Sequence, residues 1–424
     1  MSFARINKGL AKTALTIAVA TSMVQVVHAN PQQDEIQQLR AEIQELRALV
    51  QQQAAQQAQI LPPPAPVGAP PAMNVQPKDL KVTTAKGAEV KLYGFVRGDA
   101  NYIIEGADDD FNAISSSTGA AKDKLRATAK TTRIGIDFKT PIAGADVGGK
   151  LEADFAGNGT GENLRIRHAY LTYNNWLFGQ TTSNFLSSHA PEMIDFNTNI
   201  GGGTSRLPQV RYGFDVAPAT KVFISLEEGD DAVTTGNSIK YKLPVLTAKL
   251  TQGFAEGKGQ ASVRGLVEQY DLNADGSNGS DKTGWGVAVG ANYLAIPELK
   301  VFGDYSHVKG NSKYLYGSNA AATFVNGEVE QNEFNTFQIG GTYQILPNLR
   351  STLAFGGMYA DDNNAYAKAV TGANKEVQQA WINVIYSPAK PIDLGLEYIN
   401  GKRETFAGDK YDDNRLGLMA KYSF

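Results

Sequence analysis

The sequence predicts an all-β transmembrane barrel of about 16 antiparallel, up-and-down strands, preceded by a short α-helical coiled coil. From Glu89 onward, short stretches alternate apolar and polar residues with a period of two. The breaks between these stretches alternate between tight turns, rich in proline or glycine, and long polar loops. The chain ends in Phe424, behind a final stretch of the same alternation.

Composition narrows the class of protein. The 424 residues include 40 Lys and Arg and 43 Asp and Glu, so the formal net charge is −3, and cysteine is absent. The lack of cysteine excludes a disulfide scaffold, a thiol nucleophile and a cysteine–zinc site. A slightly acidic chain argues against a nucleic-acid partner. Beyond the N-terminal segment no apolar run reaches the ~18 residues of a membrane helix, which is also true of barrels with alternating strands.

Residues 1–29 predict a secretory signal peptide. Three cationic side chains, the last at Lys12, precede the apolar residues 14–20, and small residues at Val27 and Ala29 predict cleavage after Ala29. A short membrane anchor is the alternative, but the apolar run is short and interrupted by threonine and serine. Cleavage removes three positive charges and no negative ones, so the mature net charge becomes −6.

Residues 30–60 predict a coiled-coil oligomerisation segment. The seam has three-four spacing and is apolar at first, then rich in glutamine: Ile36, Leu39, Ile43, Leu46, Val50, Gln53, Gln57 and Ile60. The alternative is one amphipathic helix packed on its own domain. Residues 61–87 follow as a Pro-rich periplasmic linker, which Pro62–Pro64 and Pro70–Pro71 make semi-rigid. Isoleucine and leucine at the core positions nominally favour dimers, so the seam predicts an oligomer of undecided number.

The segment 88–424 predicts the barrel itself. Short turns are predicted at Thr140-Pro141, Asn174-Asn175, Ala217-Pro218, 256–259, Ile296-Pro297, Leu346-Pro347 and 388–391. Long loops are predicted at 105–123, 156–162, 183–206, 229–244, 272–282, 310–331, 360–374 and 401–413. These connections imply about sixteen strands. A soluble β-sandwich or propeller is the alternative, but it would not sort its connections so regularly by length.

The predicted strands have one apolar and one polar face. In 147–155, Leu151 lies on the side opposite Glu152 and Asp154, and we expect the apolar side to meet lipid. In 124–139 the alternation changes phase, which a β-bulge near Thr131 would repair. Aromatic residues near strand ends are expected to form interfacial girdles. These residues are Tyr102, Tyr293, Tyr343, Tyr386 and Tyr398.

The polar faces carry cations that predict an anion pathway. We expect these side chains to line the pore: Arg97, Arg133, Lys150, Arg165, Arg167, Arg206, Arg211, Arg264 and Arg350. Rings of Arg or Lys are typical of anion pores, and two neighbouring guanidinium forks suit a solute with two carboxylates. The alternative is that these cations pair across strands with Asp137, Glu152, Asp154 and Asp215 and only line the wall.

The long loop 183–206 is expected to fold inward and narrow this pore. It contains His189, Glu192 and Asp195 as candidate constriction residues, and Gly201–Gly203 could let its backbone approach the wall. Acidic pairs at other loop tips (108–110, 230–231, 361–362 and 412–413) could bridge divalent cations to lipopolysaccharide or be simply solvated. No catalytic residue, metal site or cofactor is predicted, since His168, His189 and His307 lack ligand spacing.

Besides the heptads and the proline spacer, the chain contains four motifs in this order: Lys91-Leu-Tyr-Gly-Phe-Val-Arg97, Arg133-Ile-Gly-Ile-Asp-Phe138, Leu164-Arg-Ile-Arg-His-Ala-Tyr170 and Leu207-Pro-Gln-Val-Arg-Tyr212. Together these features resemble the DcaP-like family of Gram-negative outer-membrane porins. The resemblance implies a homotrimer of sixteen-stranded barrels, a coiled coil on the periplasmic side, and uptake of dicarboxylates and similar anions. The terminal Phe424 resembles the signal read by the barrel assembly machinery.

Three functions are compatible with these patterns. The favoured hypothesis is a passive diffusion channel for small anionic solutes in the outer membrane, surrounded by lipid and lipopolysaccharide, with no enzymatic activity. A second is an outer-membrane enzyme such as a lipase, for which His168 is the only candidate predicted on the lipid-facing side. A third is a general or structural outer-membrane protein, tethered through its periplasmic coiled coil and without solute selectivity.

Overall fold

In the computed structural model, sixteen antiparallel strands form one sheet that closes on itself. The structure describes residues 80–83, 87–157, 162–187, 189, 191–229, 233–234, 237–241, 243–274, 280–311 and 314–424. The predicted signal peptide, the predicted coiled coil and most of the predicted linker lie outside the described residues. Within the described part of the chain, no helix is long and apolar enough to cross a membrane.

The strands run up and down in chain order. Their bounds are β1 Glu89–Gly106, β2 Ala121–Thr128 continued by Arg133–Ile142, β3 Ala145–Asp154, β4 Arg165–Tyr173, β5 Trp176–Thr182, β6 Arg206–Ala217, β7 Thr220–Glu227, β8 Asn237–Tyr241 continued by Val245–Phe254, β9 Gly259–Ala274, β10 Ser280–Ile296, β11 Leu299–Lys309, β12 Glu333–Leu346, β13 Leu349–Ala360, β14 Asn374–Ala389, β15 Ile392–Thr405 and β16 Lys410–Ser423. Each strand pairs with the next, and β16 pairs with β1, where Lys421 lies opposite Arg97. Closure leaves no unpaired edge, and the predicted strand number is confirmed.

Several short strands, a short helix and two 3₁₀ turns lie outside the sixteen barrel strands. Leu80–Thr83, inside the predicted linker, pairs with the start of β1, so strand pairing begins before residue 88. In the long loops, Ala322–Val325 and Glu328–Gln331 form a hairpin, and Ala365–Ala369 forms a short helix, α1. The remaining short elements are a strand at Val233–Thr234 and single 3₁₀ turns at Ile114–Ser116 and Ala255–Gly257.

The interruption of β2 is the bulge predicted near Thr131. Thr128 lies opposite Asp99 and Arg133 lies opposite Phe95, so residues 129–132 face only residues 96–98. The extra residue inverts the alternation, because a strand has a side-chain period of two. Leu125 before the bulge and Ile134 after it are therefore both exposed on the outside.

Two predicted connections are wrong in position. The first short turn is predicted at Thr140-Pro141, but β2 continues through it and the chain turns at Ala143 and Gly144, which both have positive φ. The eighth long loop is predicted over 401–413, but β15 and β16 extend through most of it and leave only residues 406–409 as the connection. The reason is that polar residues pair there across the ladder, as Lys402 does opposite Asp412. A polar run therefore did not mark a loop.

The two faces of the strands are as predicted. In β3, Leu151 is exposed on the outside whereas Glu152 and Asp154 are buried on the inside. The outer surface is rich in exposed aliphatic side chains, which meet hydrocarbon when the barrel is in a membrane. The five tyrosines predicted for the girdles are each between 37% and 46% exposed on this surface.

The inside of the barrel is less polar than the period-two pattern predicts. At the long-loop end, apolar residues of three loops pack on apolar residues of the inner wall. The loops contribute Ile114, Phe185, Leu186, Ile200, Tyr314 and Leu315, and the wall contributes Leu207, Val245, Leu266, Val308, Phe334 and Val377. The polar inward face that the alternation predicts is therefore not observed at this level, because folded loops pack on apolar residues of the inner wall.

Candidate functional site

The loop between β5 and β6, residues 183–205, crosses the lumen. Glu192 reaches the opposite wall, where the Arg350 guanidinium on β13 donates to its carboxylate from Nε and Nη2 at 2.7 and 2.6 Å. Its main chain at Glu192 accepts a hydrogen bond from Asn383 on β14 at 3.0 Å. On one side of the loop tip, an open space lies between the loop and the wall formed by β1, β2, β4 and β6.

Two wall cations hold the first part of this loop through its carbonyl groups, and a third binds the end of the strand before it. Lys249 donates to the Leu186 oxygen at 2.9 Å and Arg264 to the Phe185 oxygen at 3.2 Å. Arg211 donates to the oxygen of Thr182, the last residue of β5, at 2.5 Å. Arg264 also makes a bidentate ion pair with Asp304, with both distances 2.7 Å. Arg211 and Arg264 do face inward, as predicted, but the loop covers them, so the structure does not bring them into the open space.

Carboxylates hold the second part of the loop through its amide groups. Glu397 on β15 is fully buried and accepts from the Ile194 amide at 2.9 Å and the Asp195 amide at 2.8 Å. Asp195 is itself buried and accepts from the Asn112 amide of the first loop at 2.6 Å. Burial raises the pKa of Asp195 to about 6. The predicted constriction residue Asp195 therefore faces the interior packing and not the open space.

The glycines of the loop explain how close it lies to its neighbours. A Cβ at Gly201, where φ is +87°, would overlap the carbonyl oxygen of Phe337 on the wall. A Cβ at Gly203 would overlap the carbonyl oxygen of Tyr314 in the loop between β11 and β12. Glycine is required at both positions because backbone approaches backbone directly.

The open space is a cavity of about 430 Å³ that combines five of the predicted arginines. Arg165 and Arg206 lie at its long-loop end, since each begins a strand after a long loop, and Lys421 lies near the C-terminus at the short-turn end. Among the described residues, six cations and a single carboxylate, Glu192, line it. The cations are Arg97, Arg133, Arg165, Arg167, Arg206 and Lys421.

Most of these cations form ion pairs with buried carboxylates of the wall. Asp154 accepts from Arg165 at 2.9 and 2.7 Å and from Arg167 at 2.9 Å, and Glu152 accepts from Arg167 at 2.8 Å. The predicted alternative of pairing along the wall is thus observed at both acids. Such pairs fix the guanidinium planes but offset part of their positive charge.

The other two acids predicted to pair with pore cations, Asp137 and Asp215, also form ion pairs along the wall. Asp137 pairs with Lys150 at 2.7 Å, outside the cavity, whereas Asp215 pairs with Lys221 and not with a predicted pore residue. Arg97 is held by Asp99 at 2.6 Å.

Arg206 differs from its neighbours. Within the described residues it has no carboxylate partner, and its Nε is buried without a hydrogen-bond acceptor. The Nε of Arg133 is likewise buried without an acceptor, although Glu152 lies 3.5 Å away. A half-buried guanidinium whose Nε has no acceptor among the described residues is the group in this cavity that gains most from an anion.

His168 lies on the side of the wall opposite to the prediction. Its Nδ1 is 2.9 Å from the hydroxyl of the inward-facing Thr181, and its Nε2 is 3.9 Å from Glu152. The cause is a bulge in β4: Glu152 faces His168 and Ala153 faces Ile166, so Arg167 is the extra residue. The lipid-facing placement of His168 is therefore wrong.

A second cavity, of about 330 Å³, lies on the other side of the loop tip and shares Glu192. His189 lines it and is itself buried, with Nδ1 2.5 Å from the Asn292 amide nitrogen. Burial, followed by the charge of Arg264, lowers the pKa of His189 to about 4, so its ring is neutral at pH 7. The structure therefore separates His189 from the arginines instead of placing it among them.

The acidic loop tips have partners inside the chain. Asp108 accepts from Lys124 at 2.7 Å and from Arg126 at 2.6 Å, and these hydrogen bonds lower the pKa of Asp108. Asp362 pairs with Lys375 at 3.0 Å. The tip at 230–231 lies outside the described residues. Across the described ranges no group of three or more His, Asp or Glu is arranged to hold a metal ion.

Lys421 and Tyr316 are among the lining residues that were missing from the predicted site. Lys421 follows the inward alternation of the last strand, so the sequence contained a signal for it. Tyr316 comes from the irregular loop between β11 and β12, where no periodicity indicates which way a side chain points.

A family model for the DcaP outer membrane protein matches residues 34–424. The chain belongs to the DcaP outer membrane protein family. The crystal structure of the outer membrane channel DcaP of Acinetobacter baumannii is similar to it at 62% identity with a TM-score of 0.79, over 81% of this chain and 99% of that one.

More distant structures share the fold alone. An anion-selective porin from Comamonas acidovorans (14% identity, TM-score 0.54) covers 80% of this chain and all of its own length. OmpF of Salmonella typhi in complex with daunomycin (15% identity, TM-score 0.55) covers 81% of this chain and all of its own. A search of curated proteins found no match.

Proposed function

We propose that this DcaP-family protein is a diffusion porin that takes up small anionic solutes, dicarboxylates among them, through the arginine-lined cavity. The observation that carries the proposal is the cavity beside the inward loop, where six cations face one carboxylate. Because the cations extend from the long-loop end to the short-turn end, an anion moving along the cavity always has a cation near it.

The chemistry of the cavity favours carboxylates over simple halides. A guanidinium offers two parallel N–H donors that match the two oxygens of a carboxylate. Arg206 has unused donor capacity at the long-loop end, and Arg133 has an unpaired Nε further along the cavity. A solute with two carboxylates could engage two such groups in turn, which is why dicarboxylates are the proposed class.

The rest of the proposal concerns the setting of the barrel. We propose a homotrimer in the Gram-negative outer membrane, with the short turns and the N-terminal segment in the periplasm and with lipid and lipopolysaccharide around the barrel. Phe424, whose amide donates to the Gly94 oxygen at 2.9 Å, is proposed as the signal for the barrel assembly machinery. The lipase hypothesis loses its candidate residue, because His168 faces the lumen.

The test is the reversal potential of the purified protein in a planar bilayer under a salt gradient. We expect a potential shifted toward that of the anion, and current interruptions when succinate is added. Arg206→Gln removes a cation without leaving a buried acid unpaired, so it should reduce the shift. Lys258→Gln, in an exposed short turn, is the matched control and should leave the shift as it is. A wild-type channel without ion preference would overturn the proposal and favour the unselective, tethered alternative.

A further inference from the structure

A third cavity, of about 340 Å³, adjoins the arginine cavity at the long-loop end. The two share Arg165, Thr204, Arg206 and Tyr316. The third cavity is also lined by Ile166, which is 52% exposed and points outward from β4. The same arginine pair therefore borders both the lumen and a space that reaches the outer side of the wall.

The strands that form the wall beside this third cavity are short. β4 has 9 residues and β5 has 7, whereas β1 has 18 and β10 has 17. Arg165 is the first residue of β4 and Arg206 is the first residue of β6, so both lie at the end of the strands that joins the long loops. Both arginines therefore lie where the strands begin, at the long-loop end of the arginine cavity.

Tyr316 and Thr204 form a partition between the two cavities. Their hydroxyl groups are 2.8 Å apart. The Tyr316 amide donates to the Gly202 oxygen at 2.9 Å, and the neighbouring Tyr314 is buried against Phe185. The backbone on both sides is thus fixed, while the phenol hydroxyl can exchange its partner by rotating about its C–O bond.

We propose that Arg165, Arg206 and Tyr316 form an outer capture subsite for the carboxylate group of a diffusing solute. The inference rests on the proposed function and adds to it a first binding step before the inner arginines. Arg206 supplies a guanidinium that has no carboxylate partner in the described part of the chain, and Tyr316 supplies a hydroxyl that leaves Thr204 and donates to the bound carboxylate. Tyr316 is then a specificity-determining residue, because it offers its donor only to a solute that can accept a hydrogen bond.

The test compares two variants that break the same hydroxyl contact from opposite sides. Tyr316→Phe removes the proposed donor and keeps the ring, whereas Thr204→Val removes only the resting partner of the phenol. In lipopolysaccharide-free bilayers, with succinate on the long-loop side, Tyr316→Phe should lower the frequency of current interruptions about 10-fold. Thr204→Val should keep or raise that frequency. Tyr359→Phe, whose hydroxyl accepts from Gln378 away from both cavities, is the control.

The outcomes separate the possible roles. If Tyr316→Phe and Thr204→Val change the frequency of current interruptions in the same direction, the hydroxyl contact only stabilises the two loops, and the proposed subsite is wrong. No change in Tyr316→Phe would also overturn it. If interruptions require added lipopolysaccharide, the cavity binds an anionic lipid group and not a diffusing solute, which contradicts the proposal. A wild-type channel without anion preference would instead refute the proposed function, whatever the effect of Tyr316→Phe.

Discussion

Glu397→Gln is expected to loosen the inward loop without removing it. The Glu397 carboxylate accepts three hydrogen bonds: from the Ile194 amide at 2.9 Å, from the Asp195 amide at 2.8 Å and from Asn383 Nδ2 at 3.0 Å. A glutamine amide keeps one oxygen acceptor but places an NH₂ group where the second oxygen stood. At least one buried loop amide then faces a donor instead of an acceptor.

The size of the effect follows from the cost of that unsatisfied donor. Leaving a buried donor without its partner costs about 1–3 kcal/mol. This cost falls on the attachment of the loop, because the strands of the barrel keep their own ladder. It corresponds to a roughly 5- to 150-fold increase in the population of loop conformations detached from β15.

The assay is the open-channel current noise of single channels in a planar bilayer. We expect wild-type channels to be quiet and Glu397→Gln channels to flicker as the loop moves. Asp215→Asn is the matched control, since Asp215 is 74% exposed in its side chain and pairs only with Lys221 at 3.5 Å among the described residues. Equal noise in wild type, Glu397→Gln and the control would refute the assignment of Glu397 as the anchor of the loop.

Two further predictions concern the same loop. Gly203→Ala should detach the loop between β11 and β12 from the inward loop, because its Cβ overlaps the Tyr314 oxygen; a larger conductance measures this, and an unchanged conductance contradicts it. For Asp195, whose pKa burial raises from 3.8 to about 6, the folded loop favours the protonated form, so its stabilisation is full below about pH 4 and is lost as the pH rises through 6. Hydrogen exchange of the loop amides, corrected for intrinsic rates, should therefore show more protection at pH 4.5 than at pH 7.5, and Asp195→Asn should remove that difference.

Local patterns in the sequence were sufficient for the barrel. The alternation of Leu151 with Glu152 and Asp154 assigned the faces of β3, since a strand has a side-chain period of two. The change of phase within β2 predicted the bulge near Thr131, because only an extra residue can invert that alternation. The alternation of short turns with long loops predicted the strand number, because each connection joins two consecutive strands.

Long-range packing explains what the sequence did not predict. The bulge at Arg167 turns His168 inward, but nothing in Leu164-Arg-Ile-Arg-His breaks the apolar alternation, so no local signal exists. Tyr316 reaches the arginine cavity from a loop whose direction depends on its contact with Gly202. Such contacts join residues more than a hundred positions apart, and a single sequence does not encode them by periodicity.

The position of the inward loop also decides which cations act on a solute. A count of inward arginines overestimates the positive potential of the pore, because Arg264 pairs with Asp304 and Arg350 pairs with Glu192, while Arg211 lies outside the arginine cavity. Of the arginines that remain in the cavity, Arg165 and Arg167 share the buried acids behind them. Arg206, which has no carboxylate partner among the described residues, therefore adds uncompensated positive charge at the long-loop end, which is the entrance for an anion under the proposed function. Solute selection in this barrel is for that reason expected at the entrance more than at the midpoint of the loop.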